Sequence, residues 1–263
     1  MAVITGGAQG FGLGIAQSLY REGASVVLAD LNLEQAKKES QALGDRAWAI
    51  QVDVSDPESV TAMVAQSVAF MGGIDLFLSN AGVLKAGSIE EMTPQDFDFV
   101  TRVNYTGYFL CVQAVSQIMR AQSQAEDSRW YDIVQINSKS GLAGSKANFA
   151  YAGGKFGGIG LTQSFALELA PDRIKVNAIC PGNYYDGPLW SDPENGLFVQ
   201  YLKAGKVPGA KTLADVKQSY LEKGLIQRGC LPEDVAKAVF YCVDQCYETG
   251  QAIPVTGGQL MLN

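Results

Sequence analysis

Tyr151 and Lys155 are the two residues of this sequence whose types and spacing best suit acid/base chemistry. They stand four positions apart, so on a helix they share one face. A free phenol has a pKa of about 10 and is a poor base near neutral pH, but an adjacent ammonium favours the phenolate. The pair therefore predicts a tyrosine base whose pKa is lowered by Lys155. The alternative is that Tyr151 and Lys155 are two surface residues on one helix without a catalytic role. Other residues of the sequence must distinguish these two interpretations.

Histidine is absent from the sequence, which excludes several enzyme classes. Ser-His-Asp hydrolases, His-based dehydrogenases and most zinc dehydrogenases all need an imidazole. The cysteines include no CxxC pair; Cys242 and Cys246 stand four apart on a predicted helix, but no histidine completes a metal site. We expect reduced thiols and no metal.

A glycine-rich run, TGGAQGFG, follows the first predicted strand and opens the first predicted helix. Gly6, Gly10 and Gly12 could bring the backbone close to a pyrophosphate at the helix N-terminus. An ordinary glycine turn is the alternative, but the position between a strand and a helix favours dinucleotide binding.

Asp30 closes the second predicted strand, where a carboxylate can accept hydrogen bonds from both hydroxyls of an adenosine ribose. The same charge would repel a 2′-phosphate, and Gln9, Leu31 and Asn32 supply no cation to hold one. Asp30 therefore predicts NAD as the cofactor. A helix-capping role for Asp30 is compatible with this one.

The elements that must position these residues follow an alternating pattern of short apolar runs and longer amphipathic stretches. This pattern predicts a doubly wound α/β fold of the Rossmann type, a seven-stranded parallel sheet with helices on both faces, in one domain over 1–263. The predicted strands span 2–5, 25–29, 47–52, 74–79, 131–137, 174–179 and 252–255.

The segment 183–229 has no strand pattern and mixes aromatic residues with Gly, Pro and Lys. Its length and position favour a lid that covers the substrate over a purely structural excursion. At the other end, the first strand begins at Ala2, from which we expect an excised domain or a shortened form of a longer protein.

The net charge of −7 and the pI near 4.7 argue against a general nucleic-acid binder. No apolar run approaches a membrane span, and no basic segment leads into an apolar signal. We expect a cytoplasmic protein with a small-molecule substrate and neither nucleic acid nor membrane as partner.

Over its whole length the chain resembles the short-chain dehydrogenase/reductase family. The glycine run is joined by SNAG at 79–82, INSKSG at 136–141 and YAGGK at 151–155. The resemblance implies a catalytic tetrad of Asn104, Ser138, Tyr151 and Lys155. It also implies cofactor contacts from Gly6, Gln9, Gly10, Phe11, Gly12, Asp30, Leu31, Asp53, Val54, Asn80, Ala81, Gly82, Tyr151, Lys155, Pro181, Gly182 and Asn183.

The roles follow from the same resemblance. Tyr151 would accept the hydroxyl proton, Ser138 would hold the substrate oxygen, and Lys155 would bind the nicotinamide ribose. Asn104 would hold a water that passes the proton on. Two departures from the family pattern stand out: Asn137 replaces a common second serine, and Asn183 follows Pro-Gly where a β-branched residue is frequent. Asn183 would suit a hydroxyl-rich substrate.

The sequence resembles two groups of family members that act on different substrates. INSKSG, AGGKFGGIGLTQSFALELA, RGC and TGQAIPVTGGQ resemble the family's sorbitol-6-phosphate 2-dehydrogenases, which implies interconversion of sorbitol 6-phosphate and fructose 6-phosphate. GPLW and NGLFVQYLKAGKVPGAKT instead resemble the dehydrogenase half of bifunctional aldolase/short-chain dehydrogenase proteins. A non-phosphorylated polyol, a deoxysugar or lactaldehyde therefore remains an alternative substrate, and a non-catalytic NAD-binding redox sensor is an alternative of another class.

An anionic group on the substrate is expected to meet cations near the catalytic serine. The candidate substrate residues are Lys139, Lys146, Asn183 and Arg228. The resemblance also implies a homotetramer or a homodimer.

Overall fold

The computed structural model describes residues 1–126, 128–203 and 205–261. The strands in this part of the chain are β1 Ala2–Thr5, β2 Val26–Asp30, β3 Ala47–Gln51, β4 Leu76–Ser79, β5 Tyr131–Ile136, β6 Ile174–Pro181 and β7 Ala252–Val255. The α-helices are α1 Gly10–Arg21, α2 Leu33–Leu43, α3 Pro57–Met71, α4 Pro94–Thr101, α5 Gly107–Ala125, α6 Phe149–Leu169, α7 Pro188–Ser191, α8 Leu197–Lys203, α9 Leu213–Leu221 and α10 Pro232–Asp244. A π-helical turn, Arg102–Thr106, joins α4 to α5.

The strands of the described residues form one seven-stranded parallel sheet in the order β3-β2-β1-β4-β5-β6-β7. The predicted Rossmann-type fold is thus confirmed. The order reverses between β1 and β4, so the chain leaves these adjacent strands toward opposite sides and opens a crevice at their carboxyl ends.

Apolar side chains bury both faces of the sheet. One core contains Met63 of α3, Val112 of α5 and Ala166 of α6. The other contains Ile15 of α1 and Val239 of α10. β1, β4, β5 and β6 are buried along their whole length. Because both faces of the parallel sheet are covered, apolar and polar residues do not alternate along these strands.

Helix ends follow local rules. Asp56 accepts a hydrogen bond from the backbone N–H of Glu58, and Pro57 begins α3. The helix ends at Gly72, whose φ of 83° is the left-handed conformation that glycine adopts at no steric cost.

Several bounds of the predicted elements differ in the structure, two of them with a visible cause or consequence. β4 begins at Leu76 rather than residue 74, because the amide of Gln122 on α5 bonds both the N–H and the carbonyl of Ile74. α10 ends at Asp244, so Cys246 lies beyond the helix and is exposed, whereas Cys242 is buried.

The segment 183–229 forms α7, α8 and α9 and packs a third apolar cluster of its own. Trp190 lies at its centre, with ring centroids 5.0 Å from Phe198 and 5.7 Å from Tyr201. In the described part of the chain, no helix is long and apolar enough to cross a membrane.

Candidate active site

A cavity of about 1190 Å³ opens at the carboxyl ends of the parallel strands. One side is lined by residues that follow β1, β2 and β3, among them Gly6, Asp30 and Asp53. The other side is lined by residues that follow β5 and β6 and by the segment 183–229. The topology therefore joins the predicted cofactor residues and the predicted catalytic residues in one space.

The glycine loop is shaped by contacts that exclude a side chain. A Cβ atom on Gly12 would lie 2.2 Å from the carbonyl oxygen of Gly6, and Gly6 itself has a φ of 62°. Asn80 holds the loop from the next strand, because its Nδ2 donates to the carbonyl oxygens of Thr5 and Gly6 at 2.9 and 3.0 Å. The loop therefore runs directly into the N-terminus of α1. Backbone N–H groups and the helix dipole favour the binding of a phosphate there.

Asp30 lies in the cavity wall with its carboxylate held at both oxygens. Oδ2 accepts from the N–H of Ala8 at 3.0 Å, and Oδ1 accepts from the N–H of Asn32 at 3.0 Å. Further along, Oδ1 of Asp53 accepts from the N–H and hydroxyl of Ser55 at 2.9 and 2.7 Å. Both carboxylates are therefore ordered before any ligand arrives.

Most of the remaining predicted cofactor residues line the same cavity. Those that line the cavity are Gln9, Gly10, Phe11, Leu31, Val54, Ala81, Gly82, Pro181, Gly182 and Asn183. Gly12 lies one turn into α1, behind the loop. An elongated cradle with a carboxylate at one end and small residues at its middle fits a dinucleotide.

Ser138, Tyr151 and Lys155 line the opposite wall. Burial raises the pKa of Tyr151 to about 12, although the Ser138 hydroxyl beside it acts in the opposite direction. Loss of hydration dominates, so the net shift in the chain alone is opposite to the lowering expected from Lys155. Tyr151 is a protonated phenol at neutral pH in this environment.

Lys155 is buried, with its Nζ 5.6 Å from the centroid of the Tyr151 ring. Its ammonium donates to the carbonyl oxygen of Ile136 at 2.9 Å. Burial lowers its pKa to about 8. The amine is thus fixed at the end of β5, next to the phenol.

Asn104 is buried in the π-helical turn and is bonded to the loop after β4. Its Oδ1 accepts from the N–H of Val83 and its Nδ2 donates to the carbonyl of the same residue, both at 2.8 Å. The side chain therefore holds the 80–83 loop against the π-helical turn. Its holding of a water for proton transfer stays a prediction.

The predicted substrate residues separate into two groups. Lys139 and Asn183 line the cavity; the Nζ of Lys139 donates to Oε1 of Gln259 at 2.7 Å, and the amide of Asn183 donates to the Tyr185 hydroxyl at 3.1 Å. Lys146 is exposed. Arg228 is held by Asp234 in the first turn of α10, which takes its guanidinium in a bidentate ion pair, and its contact with the substrate stays a prediction.

Several residues outside the set of predicted site residues also contribute to the site. Asn137 joins the catalytic elements: Nδ2 donates to the carbonyl of Lys155 at 2.9 Å, and Oδ1 accepts from the N–H of Ser138 at 2.8 Å. Lys206, Tyr201 and Tyr220 line the cavity from the segment 183–229. Only the excess of lysine and aromatic residues in that segment signalled them.

Comparison with known proteins supplies the family. A family model described as short chain dehydrogenase matches residues 1–190. The sorbitol-6-phosphate 2-dehydrogenase of Escherichia coli K12 is 36% identical over 99% of this chain and 98% of its own length. The galactitol 2-dehydrogenase of Agrobacterium fabrum C58 is 34% identical over 99% of this chain and 97% of its own.

Two solved structures are similar to this chain over nearly its whole length. The crystal structure of sorbitol-6-phosphate 2-dehydrogenase SrlD from Erwinia amylovora has a TM-score of 0.90 and 38% identity, and the alignment covers 100% of both chains. The 3-ketoacyl-(acyl-carrier-protein) reductase from Brucella melitensis, solved in complex with NADH, has a TM-score of 0.83 at 25% identity, covering 98% of this chain and 97% of its own.

Proposed function

We propose that this chain, which belongs to the short-chain dehydrogenase family, is an NAD-dependent oxidoreductase that interconverts sorbitol 6-phosphate and fructose 6-phosphate. The observation that carries the proposal is one cavity lined by the glycine loop and Asp30, by Ser138, Tyr151 and Lys155, and by the cationic side chains of Lys139 and Lys206. The similarity to two sorbitol-6-phosphate 2-dehydrogenases supports this substrate.

The glycine loop and the N-terminus of α1 would hold the pyrophosphate, and Asp30 would accept hydrogen bonds from the adenosine ribose. When bound, the nicotinamide supplies the two-electron acceptor or donor for the substrate carbon. NAD rather than NADP follows from Asp30, since a 2′-phosphate would meet its negative charge. The NADH bound by the Brucella reductase supports a nicotinamide cofactor.

The proton chemistry belongs to Tyr151. In reduction, its neutral phenol donates a proton to the forming alkoxide, while Ser138 holds the same oxygen. In oxidation, the phenolate is needed, so turnover depends on positive charge that offsets the burial of Tyr151. Lys155 supplies part of this charge from its fixed position, and the oxidised nicotinamide ring supplies more.

The segment 183–229 would cover the substrate. Its helices carry Trp190, Tyr201 and Tyr220 to the cavity wall, where they exclude water from the reacting carbon. The amide of Asn183 would meet a substrate hydroxyl.

We also propose a homodimer or homotetramer, which light scattering would test.

A second candidate is a dehydrogenase of free polyols, which the similarity to galactitol 2-dehydrogenase favours. A spectrophotometric screen separates the two. Sorbitol 6-phosphate, sorbitol, galactitol and lactaldehyde are each assayed with NAD and with NADP. The proposal requires the highest kcat/KM with sorbitol 6-phosphate and NAD. A preference for an uncharged polyol would favour the second candidate, and NAD binding without any turnover would indicate a redox sensor.

A further inference from the structure

Three lysine side chains from separate parts of the chain meet beside the catalytic serine. Lys139 directly follows Ser138, Lys206 follows α8, and Lys223 follows α9. We call these residues the lysine cluster. Lys139 and Lys206 line the cavity, and the amine of Lys223 lies 4.1 Å from the centroid of the Tyr220 ring, which also lines it.

The three amines act on one another. Burial, followed by the charges of Lys223 and Lys206, lowers the pKa of Lys139 to about 8. Burial, followed by the charges of Lys223 and Lys146, lowers the pKa of Lys206 to about 8. Lys139 and Lys206 are partly buried, whereas Lys223 is exposed. Like charges held together in this way cost free energy unless an anion is bound there.

The hydrogen-bond partners of the lysine cluster are neutral. The Lys139 amine donates to the side-chain carbonyl of Gln259, and the Lys206 amine donates to the backbone carbonyl of Lys146 at 3.3 Å. The Lys206 amine also lies 3.8 Å from the centroid of the Tyr201 ring. Among the described residues, none of the cluster's amines forms an ion pair with a carboxylate.

Two other cations of the same segment have acidic partners. Lys217 pairs with Asp186 at 2.8 Å, and Arg228 pairs with Asp234. The cluster amines have no such partner among the described residues, and Lys139 and Lys206 are partly buried whereas the other unpaired lysines of the segment, Lys203 and Lys211, are exposed. The aromatic rings of Tyr201 and Tyr220 are stacked with centroids 5.7 Å apart, so they form a common platform for two of the amines.

We propose that the lysine cluster is the binding site for the phosphate monoester of the substrate. The inference rests on the proposed function in that the anion belongs to the substrate of the same site. Lys139 directly follows Ser138 after β5, whereas Asp30 closes β2, and β1 and β4 separate these two strands in the sheet. A phosphate held by the cluster would therefore lie away from the adenosine end of the dinucleotide. One amine comes from the β5–α6 loop and two come from the segment 183–229, so the phosphate would link that segment to the sheet.

The test compares two double variants that remove the same charge from the same segment. Lys206→Ala with Lys223→Ala removes two cluster amines. The matched control is Lys203→Ala with Lys211→Ala, two exposed lysines outside the cluster. Binding of inorganic phosphate is measured by calorimetry, which needs no turnover. The KM values for sorbitol 6-phosphate and for free sorbitol are measured with NAD.

Each charge-assisted contact contributes about tenfold in affinity, so the cluster double variant is expected to bind phosphate about a hundredfold more weakly than the wild type. Its KM for sorbitol 6-phosphate should rise far more than its KM for sorbitol. The control should retain the wild-type affinity for phosphate. If the alanine variants do not fold, Lys206→Gln with Lys223→Gln removes the charge and keeps the length of the side chains.

Equal phosphate affinity in the wild type, the cluster variant and the control would overturn the lysine-cluster site, even if sorbitol 6-phosphate is the substrate. Selective loss of phosphate affinity in the cluster variant, together with no turnover of any polyol, would support the anion site and overturn the proposed function instead. The two failures are therefore distinguishable.

Discussion

Replacing Asn137 by alanine should weaken both the fold and the turnover, because this buried amide joins three parts of the site. It donates to Oε1 of Gln135 at 2.7 Å and to the carbonyl of Lys155 at 2.9 Å, and it accepts from the N–H of Ser138 at 2.8 Å. Asn137→Ala removes all three hydrogen bonds.

The free energy of unfolding should fall by about 3 kcal/mol, since each intramolecular hydrogen bond contributes about 1 kcal/mol. The loss would be larger if the N–H of Ser138 and the amide oxygen of Gln135 stay buried without new partners. Loss of the common anchor should also displace Ser138 relative to Lys155, and a displacement of about 1 Å can lower kcat by about a hundredfold.

Urea unfolding followed by circular dichroism measures the first effect, and steady-state kinetics measures the second. The matched control is Asn32→Ala, an exposed cap of α2 whose Oδ1 accepts from the N–H of Gln35 at 3.1 Å. Its loss should cost about 1 kcal/mol. If Asn137→Ala is no less stable than Asn32→Ala and keeps the wild-type kcat, the anchoring role of Asn137 is refuted.

Four further predictions address the cofactor and the reacting groups. Tyr151→Phe should lower kcat by about a hundredfold or more with little change in NAD affinity, because only the proton carrier is removed; retained turnover would exclude the tyrosine mechanism. Asp30→Ala should weaken NAD binding and reduce discrimination against NADP, and an unchanged ratio of the two kcat/KM values would contradict the assignment. Gly12→Ala should abolish NAD binding measured by fluorescence titration, because its Cβ would lie 2.2 Å from the Gly6 carbonyl, whereas Gly160→Ala on α6 meets nothing within 4 Å and should bind normally. Phosphate affinity measured by calorimetry should fall as pH rises above about 8, because Lys139 and Lys206, whose pKa values burial and like charges lower to about 8, then lose their protons; a constant affinity up to pH 10 would argue against these amines.

The order and type of the elements could be predicted from the sequence because each depends on local chemistry. Strands covered on both faces are near-continuous apolar runs, so β1, β2 and β5 were located to within one residue. The cradle was predictable for a related reason. Glycine is needed where a side chain would strike the backbone, as at Gly12, and such positions are visible in the sequence itself.

The partners of the charged side chains were decided only by the tertiary structure. Arg228 and Lys206 are both cations of the segment 183–229, but α10 brings Asp234 to Arg228, whereas Lys206 has only neutral hydrogen-bond partners and other lysines around it. Lys139 is fixed by Gln259, 120 positions away along the chain. The pKa of Tyr151 likewise depends on how deeply the phenol is buried. The four-residue spacing to Lys155 carries no information about that burial. Spacing along a helix places two residues on one face, but hydration and electrostatic potential depend on every element packed around them.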